Sequence, residues 1–288
     1  MLTNLIREID WLEISSEVRS LLDQGGSCVT IHPMKPGLEA EVTRISMDEL
    51  HFVLKVWNRD SKPDVRVQYK LLEALYNRGL PVSKPYGWGL DRDENSVLLT
   101  SFDGSPIKKA NQSLFKAITE MLTRVHRIPL QDIDEFALPK HDFISYFYPG
   151  IEEHVDLRDL LVQLVECADM KQDCMIHGDF NLGNVLEAEG KYTIIDWTNG
   201  QLGDPRYDMA WSMVLMKIYG GTRPSSHLLS AILKETSYTS GELELFEAMA
   251  CLRWILLHRM AFLPTRKGTI SRVRSLLKGN RHLNEDLL

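Results

Sequence analysis

The chain changes its hydrophobic rhythm near its first third. Before about residue 100 apolar positions come in short runs broken by turn residues: "SCVTIH", "AEVTRI", "HFVLKVW", "YGWGLD" and "SVLLTSF". Each is rich in β-branched or aromatic residues, and together they predict five strands of a mostly antiparallel sheet. One helix interrupts them, from about Pro63 to Arg78. Val67, Leu71, Ala74 and Leu75 form its apolar face, Pro63 suits its first turn, and Gly79 suits its end. From about Gln112 the period lengthens to that of helices. "SLFKAITEMLTRVHRI", "EEHVDLRDLLVQLVECAD" and "ELELFEAMACLRWILLHRMAFL" are helical, the last with Thr239 and Glu242 placed for a capping box. The expected fold class is therefore α+β. A small lobe over residues 1–102, a five-stranded sheet with one helix, precedes a larger helical lobe over 103–288, and ligands favour the cleft between such lobes.

A second irregularity lies inside the helical part. "CMIHGDFNLGNVL" begins and ends as interior strand, yet His177, Asp179, Asn181 and Asn184 crowd its middle. A surface turn explains its Gly-Asp and Gly-Asn pairs. It does not explain the next two segments: "NVLEA" and "YTIID", joined by "EGK", read as a hairpin that returns Asp196 towards Asn184. A carboxylate and an amide carbonyl are hard oxygen donors suited to Mg²⁺ held together with substrate phosphates. Asp179, outside that pair, is placed to take a proton from an attacking hydroxyl. This is a phosphoryl-transfer layout. Upstream, Lys55 sits mid-strand on the face of Val53 and Trp57. It is either an edge lysine reaching water or an ammonium that needs an anion such as a nucleotide phosphate.

Taken in order, "HGDFNLGNV", "IIDW" and "GDPRYDMAW" resemble the aminoglycoside phosphotransferase family of small-molecule kinases, over nearly the whole chain. The resemblance implies a protein-kinase-like two-lobe fold. It implies Asp179 as catalytic base, Asn184 and Asp196 as Mg²⁺ ligands, and Lys55 on the α- and β-phosphates of ATP, with GTP left open. His177 and Asp208 would steady the catalytic loop, and the backbone around Ser101 and Phe102 would meet the adenine. Two departures stand out. Gln68 occupies the place where the family usually has a glutamate to pair with the strand lysine, so that pair would lack a charge. The phosphate loop "MKPGLEAE" has a single glycine.

Composition changes the picture in three places. A net charge of -7 argues against a nucleic-acid binder with a general basic surface. Cys28, Cys167, Cys174 and Cys251 form no CxxC pair and are expected as reduced, mostly buried thiols. With no signal-like amino terminus and no apolar run of the ~20 residues that span a bilayer, they point to a cytoplasmic protein without a membrane partner. Finally, residues 131–170 carry many acids against only Lys140 and Arg158. The family places its acceptor pocket near this region, so Glu152, Glu153 and Asp156 are candidates to attract a cationic acceptor, with Glu242, Glu244 and Glu247 second. A solvated helix face accounts for the same acids. Three functions stay open: phosphorylation of an aminoglycoside-like antibiotic, phosphorylation of a metabolite alcohol such as choline or an amino sugar, or nucleotide binding by a pseudokinase regulator, suggested by Gln68. Oligomeric state is not legible.

Overall fold

The computed structural model describes residues 6–288 except 24–28, 35–39, 62, 132 and 134. Most of the loop read as a phosphate loop, Cys28, Asp132 and Asp134 therefore lie outside the described residues. The chain divides into two compact units, Met1–Pro106 with Asp134–Ala137 and Val185–Thr198, and Ile107–Ile133 with Leu138–Asn184 and Asn199–Leu288.

In the first unit the elements are β1 (Asp10–Ile14), α1 (Ser16–Asp23), β2 (Val29–Pro33), β3 (Ala40–Met47), β4 (Leu50–Trp57), α2 (Val65–Asn77), β5 (Pro85–Leu90) and β6 (Ser96–Ser101). They form one antiparallel sheet of order β1-β5-β6-β4-β3-β2. It has six strands where the apolar pattern gives five. The extra one, "DWLEI", is short and its register shifts between Trp11 and Glu13, so its apolar residues do not alternate. Its neighbour carries the compensating signal. A Cβ on Gly89 would lie 2.2 Å from the Asp10 carbonyl oxygen, so only glycine lets β1 approach there.

Alternation along β4 sorts its side chains. Phe52 and Leu54 enter a core with Ile45, Met47, Val97 and Leu99, while Lys55 lies on the opposite face. Asp64 caps α2 by accepting from the Val67 amide at 3.1 Å, which places Pro63 just before the cap rather than in the first turn. The hairpin read from "NVLEA" and "YTIID" is present, with Val185 opposite Ile194. Glu189 and Gly190, both at positive φ, make its turn.

The second unit is mainly helical: α3 (Gln112–His126), α4 (Phe143–Phe147), α5 (Val155–Cys167), α6 (Pro205–Leu215), α7 (Thr222–Glu235), α8 (Ser240–Arg259) and α9 (Thr269–Gly279). A two-stranded ribbon pairs Cys174–Ile176 with Gln201–Gly203. The predicted capping box starts α8. From Phe246 to Leu256 every residue of α8 is buried, so this helix is the axis of the core and packs against α6. Burying each large side chain there stabilises the unit by roughly 1.5–3 kcal/mol. Among the described cysteines Cys167, Cys174 and Cys251 are free thiols. Only Cys251 is buried, against the expectation that most would be, and burial pushes its thiol up to about 12. Among the described residues no helix is long and apolar enough to cross a membrane.

Candidate active site

The loop from His177 to Asn184 is fixed by side chains rather than by a sheet ladder. Asp208, fully buried in the first turn of α6, accepts from the amides of His177 (2.7 Å) and Gly178 (2.9 Å) and from His126 Nε2 (3.1 Å). Burial alone would raise its pKa. The His126 bond and charge and the His177 amide together outweigh burial and hold the carboxyl below the ordinary aspartate value. The Asp179 amide donates to His177 Nδ1 at 3.2 Å, so that nitrogen carries the lone pair and the ring is locked inside the loop.

The loop carbonyls are satisfied in turn. Arg253 donates to Gly178 O at 2.9 Å, Asn181 and Asn184 donate to Asp179 O at 3.0 and 2.9 Å, and Ser212 donates to Phe180 O at 2.5 Å. Gly178 has a φ of 77°, and a Cβ there would come within 2.5 Å of Asn199 O. The result is a rigid frame that presents the Asp179 carboxylate. Its Oδ1 accepts the indole N–H of Trp211 at 2.6 Å. Behind that indole the guanidinium of Arg253, itself buried, lies 4.2 Å from the ring centroid. With the Asn184 NH₂ turned to Asp179, its carbonyl Oδ1 is the atom left to coordinate.

Beside Asp179 opens a cavity of about 500 Å³. Trp211, Leu215 and Met216 form one part of its wall, and Leu263 and Arg266 from the segment after α8 form another. Met216–Gly220, which continues α6, is a turn of π-helix, an uncommon geometry often found at functional sites. Replacing Trp211 with Phe removes the only donor atom of that ring while keeping most of its bulk. The expected result is a fall in kcat of about tenfold with little change in the KM for ATP, since the carboxylate loses a fixed orientation. Steady-state kinetics check it; an unchanged kcat would show that the indole bond is incidental.

The first unit holds the other sequence-predicted residues. Lys55, with 19% of its side chain exposed, has Nζ 3.5 Å from Asp196 Oδ1, and Thr198 Oγ1 donates to the same oxygen at 3.0 Å. Asp196 has a φ of 66°, a conformation that costs a non-glycine residue about 1–3 kcal/mol and tends to persist where function requires it. Gln68 is buried, but among the described residues its Nε2 has no partner. Glu73 is engaged by Lys70 at 3.4 Å. The amides of Ser101 and Phe102 donate to Lys84 O and His51 O, so an adenine at this segment would be met by other backbone atoms.

The acids chosen for a cationic acceptor are not brought to the cavity. Asp156 forms a two-pronged pair with Arg259 (2.9 and 2.6 Å), Glu152 pairs with Arg158 at 3.2 Å, and Glu153 is exposed. Of the second choices, Glu242 caps α8, Glu244 pairs with Arg281, and Glu247 is buried against Lys217. Trp211, Arg253, Ser212 and His126 were not singled out by sequence, although Trp211 closes the "GDPRYDMAW" motif.

Comparison with known proteins adds the family. The model of the APH phosphotransferase enzyme family matches residues 30–246. The chain belongs to this family. Solved structures give the same protein-kinase-like fold. Amicoumacin kinase hAmiN is 14% identical at a TM-score of 0.67, covering 100% of this chain and 99% of that one. Choline kinase LicA from Streptococcus pneumoniae is 15% identical at 0.64, covering 92% and 99%. A thermostable mutant of aminoglycoside phosphotransferase APH(4)-Ia is 16% identical at 0.64, covering 91% and 99%. Among curated proteins, acyl-CoA dehydrogenase family member 10 of Mus musculus is 22% identical over 179 residues. That alignment takes in 50% of this chain and 16% of the mouse protein, so the chain spans only a small part of that relative.

Proposed function

We propose that the protein transfers the γ-phosphate of ATP to a hydroxyl of a small molecule held beside Asp179. The observation that carries this reading is the Asp179 carboxylate, braced by Trp211 and facing a cavity of substrate size. In the step, the acceptor hydroxyl gives its proton to Asp179 as its oxygen bonds to the γ-phosphorus. The bond from that phosphorus to the β–γ bridging oxygen breaks, and ADP leaves. Lys55 balances charge on the α- and β-phosphates, and the backbone near Ser101 and Phe102 receives the adenine. His177 and Asp208 keep the loop in place, and Gln68 supports the phosphate region without adding charge. Asn184 and Asp196 supply an amide oxygen and a carboxylate, a donor set that fits Mg²⁺ bound together with phosphates. The metal would supply charge neutralisation there.

Related folds support the nucleotide. Amicoumacin kinase has been solved with AMP-PNP and Ca²⁺, and APH(4)-Ia with ADP and hygromycin B. ATP as donor suits a cytoplasmic enzyme, and GTP is a second donor to assay. An aminoglycoside acceptor, and with it a part in antibiotic resistance, gains no support from Glu152, Glu153 and Asp156, which the fold commits to arginine or leaves at the surface. A metabolite alcohol is the other acceptor class, and the choline kinase and aminoglycoside phosphotransferase structures support the two alike. With γ-labelled ATP and a panel of alcohols, label is expected on an acceptor hydroxyl. Label released only as inorganic phosphate, or retained wholly in ATP, would reject phosphoryl transfer to an alcohol.

A further inference from the structure

The lining of the cavity beside Asp179 narrows the acceptor further. Hydrocarbon dominates: Ile118, Leu182, Leu215, Met216, Leu228 and Leu263. Phe180, Trp211 and Tyr219 add aromatic surface. Among the described lining residues the only charged side chains are Asp179, the proposed base, and Arg266. The nearby buried carboxylate of Glu247 offers no counter-charge, because the Lys217 ammonium holds both its oxygens at 2.7 Å.

A quaternary ammonium can do without carboxylates if aromatic faces cage it. Here that route is obstructed. The Trp211 indole already has the Arg253 guanidinium against it and donates its N–H to Asp179. A second cation on this ring would sit across one indole from the first, with Arg266 adding further positive charge. A polyamine fares worse, since each ammonium without a partner in such a lining is costly. The cavity is also well held. Tyr219 accepts from Trp254 Nε1 at 3.1 Å and donates to Pro264 O at 3.2 Å, which ties the Leu263–Pro264 segment to α8. At about 500 Å³ it falls within the ~300–1,000 Å³ of drug-sized ligand pockets, far beyond what a choline-sized alcohol fills.

We infer that the acceptor is an alcohol with a largely hydrocarbon body and no positive charge, whose anionic group, where it has one, is met by Arg266. This inference rests on the phosphotransferase reading above.

The test measures ADP release with Mg²⁺ and ATP for naphthylethanol, cholate, choline and kanamycin, beside calorimetric binding of each to the Asp179→Asn protein. Naphthylethanol and cholate are expected to exceed choline and kanamycin at least tenfold in kcat/KM. Leu263→Glu is expected to raise their KM about tenfold. Arg266→Ala, at an exposed side chain that leaves the fold intact, is expected to raise KM for cholate several-fold and to spare naphthylethanol. A preference for kanamycin or choline would overturn the acceptor class while leaving phosphoryl transfer standing. Binding of naphthylethanol or cholate without turnover of any alcohol would uphold the ligand class and reject the phosphotransferase reading. Absence of both binding and turnover for the apolar pair would overturn the inference itself.

Discussion

Asp179→Asn is expected to lower kcat for acceptor phosphorylation by about 10²–10⁴-fold, the usual contribution of a general base. The substitution is chosen for what it preserves. An asparagine of the same shape still offers an oxygen to the Trp211 indole, which approaches Oδ1 at 2.6 Å. The contacts from Asn181, Asn184 and His177 to the main chain of residue 179 stay in place, and only the long Asn184 Nδ2 contact to Asp179 Oδ2 at 3.5 Å is lost. Packing around the cavity is unchanged, so the KM values for ATP and for the acceptor should move by less than about threefold. What is lost is the capacity to take the hydroxyl proton. The check is steady-state kinetics on whichever acceptor turns over, with circular dichroism to establish that the variant is folded. A kcat within a few-fold of the parent would remove Asp179 from the role of base. A rise in KM with kcat unchanged would make it a binding residue instead.

The parts of this site that were legible in the sequence are those where chemistry and spacing coincide. Asp179, Asn184 and Asp208 lie in short motifs, and two of them meet through the same loop: Asp208 holds the His177 and Gly178 amides, and Asn184 holds the Asp179 carbonyl. Lys55 announced itself as a cation inside a strand, and Asp196 is the carboxylate it meets. Arg253 is the instructive omission. A single arginine within "ACLRWILL" in a helix buried on every side must have a reason to be there, and it has one in Gly178 O and two aromatic rings. That anomaly was visible in the sequence; its partners, far away along the chain, were not. The acidic stretch is legible only as a count. A count of charges cannot see that Arg259, more than a hundred residues away, already neutralises Asp156. The sixth strand escaped because a bulge breaks its alternation, while Gly87 and Gly89, whose closeness to β1 would have revealed it, read equally well as turn residues.

Asp208→Asn is the substitution expected to cost most stability, because no orientation of an amide satisfies the three donors that surround this side chain. Oδ2 serves both the His177 amide and His126 Nε2, and Oδ1 serves the Gly178 amide. An asparagine carbonyl in the first position turns its NH₂ against the Gly178 N–H. In the second position it abandons His177 and His126. With complete burial no water can relieve either arrangement. Removing one partner from a buried, charged network costs about 3 kcal/mol or more, read as a lower denaturant midpoint. Activity should fall with it even where the variant is folded, since the amides that aim Asp179 lose their anchor. The pH dependence separates this from a generic core lesion. A carboxylate held below its unfolded value of about 3.9 contributes stability that is complete above that pH and is lost as pH falls through the folded value. The parent should therefore lose stability on acidification below about pH 4 more steeply than the variant, and the gap between them should close there. A gap that stays constant into acid would mean that Asp208 acts by shape alone, and a midpoint within about 1 kcal/mol of the parent at neutral pH would mean that the loop does not depend on it.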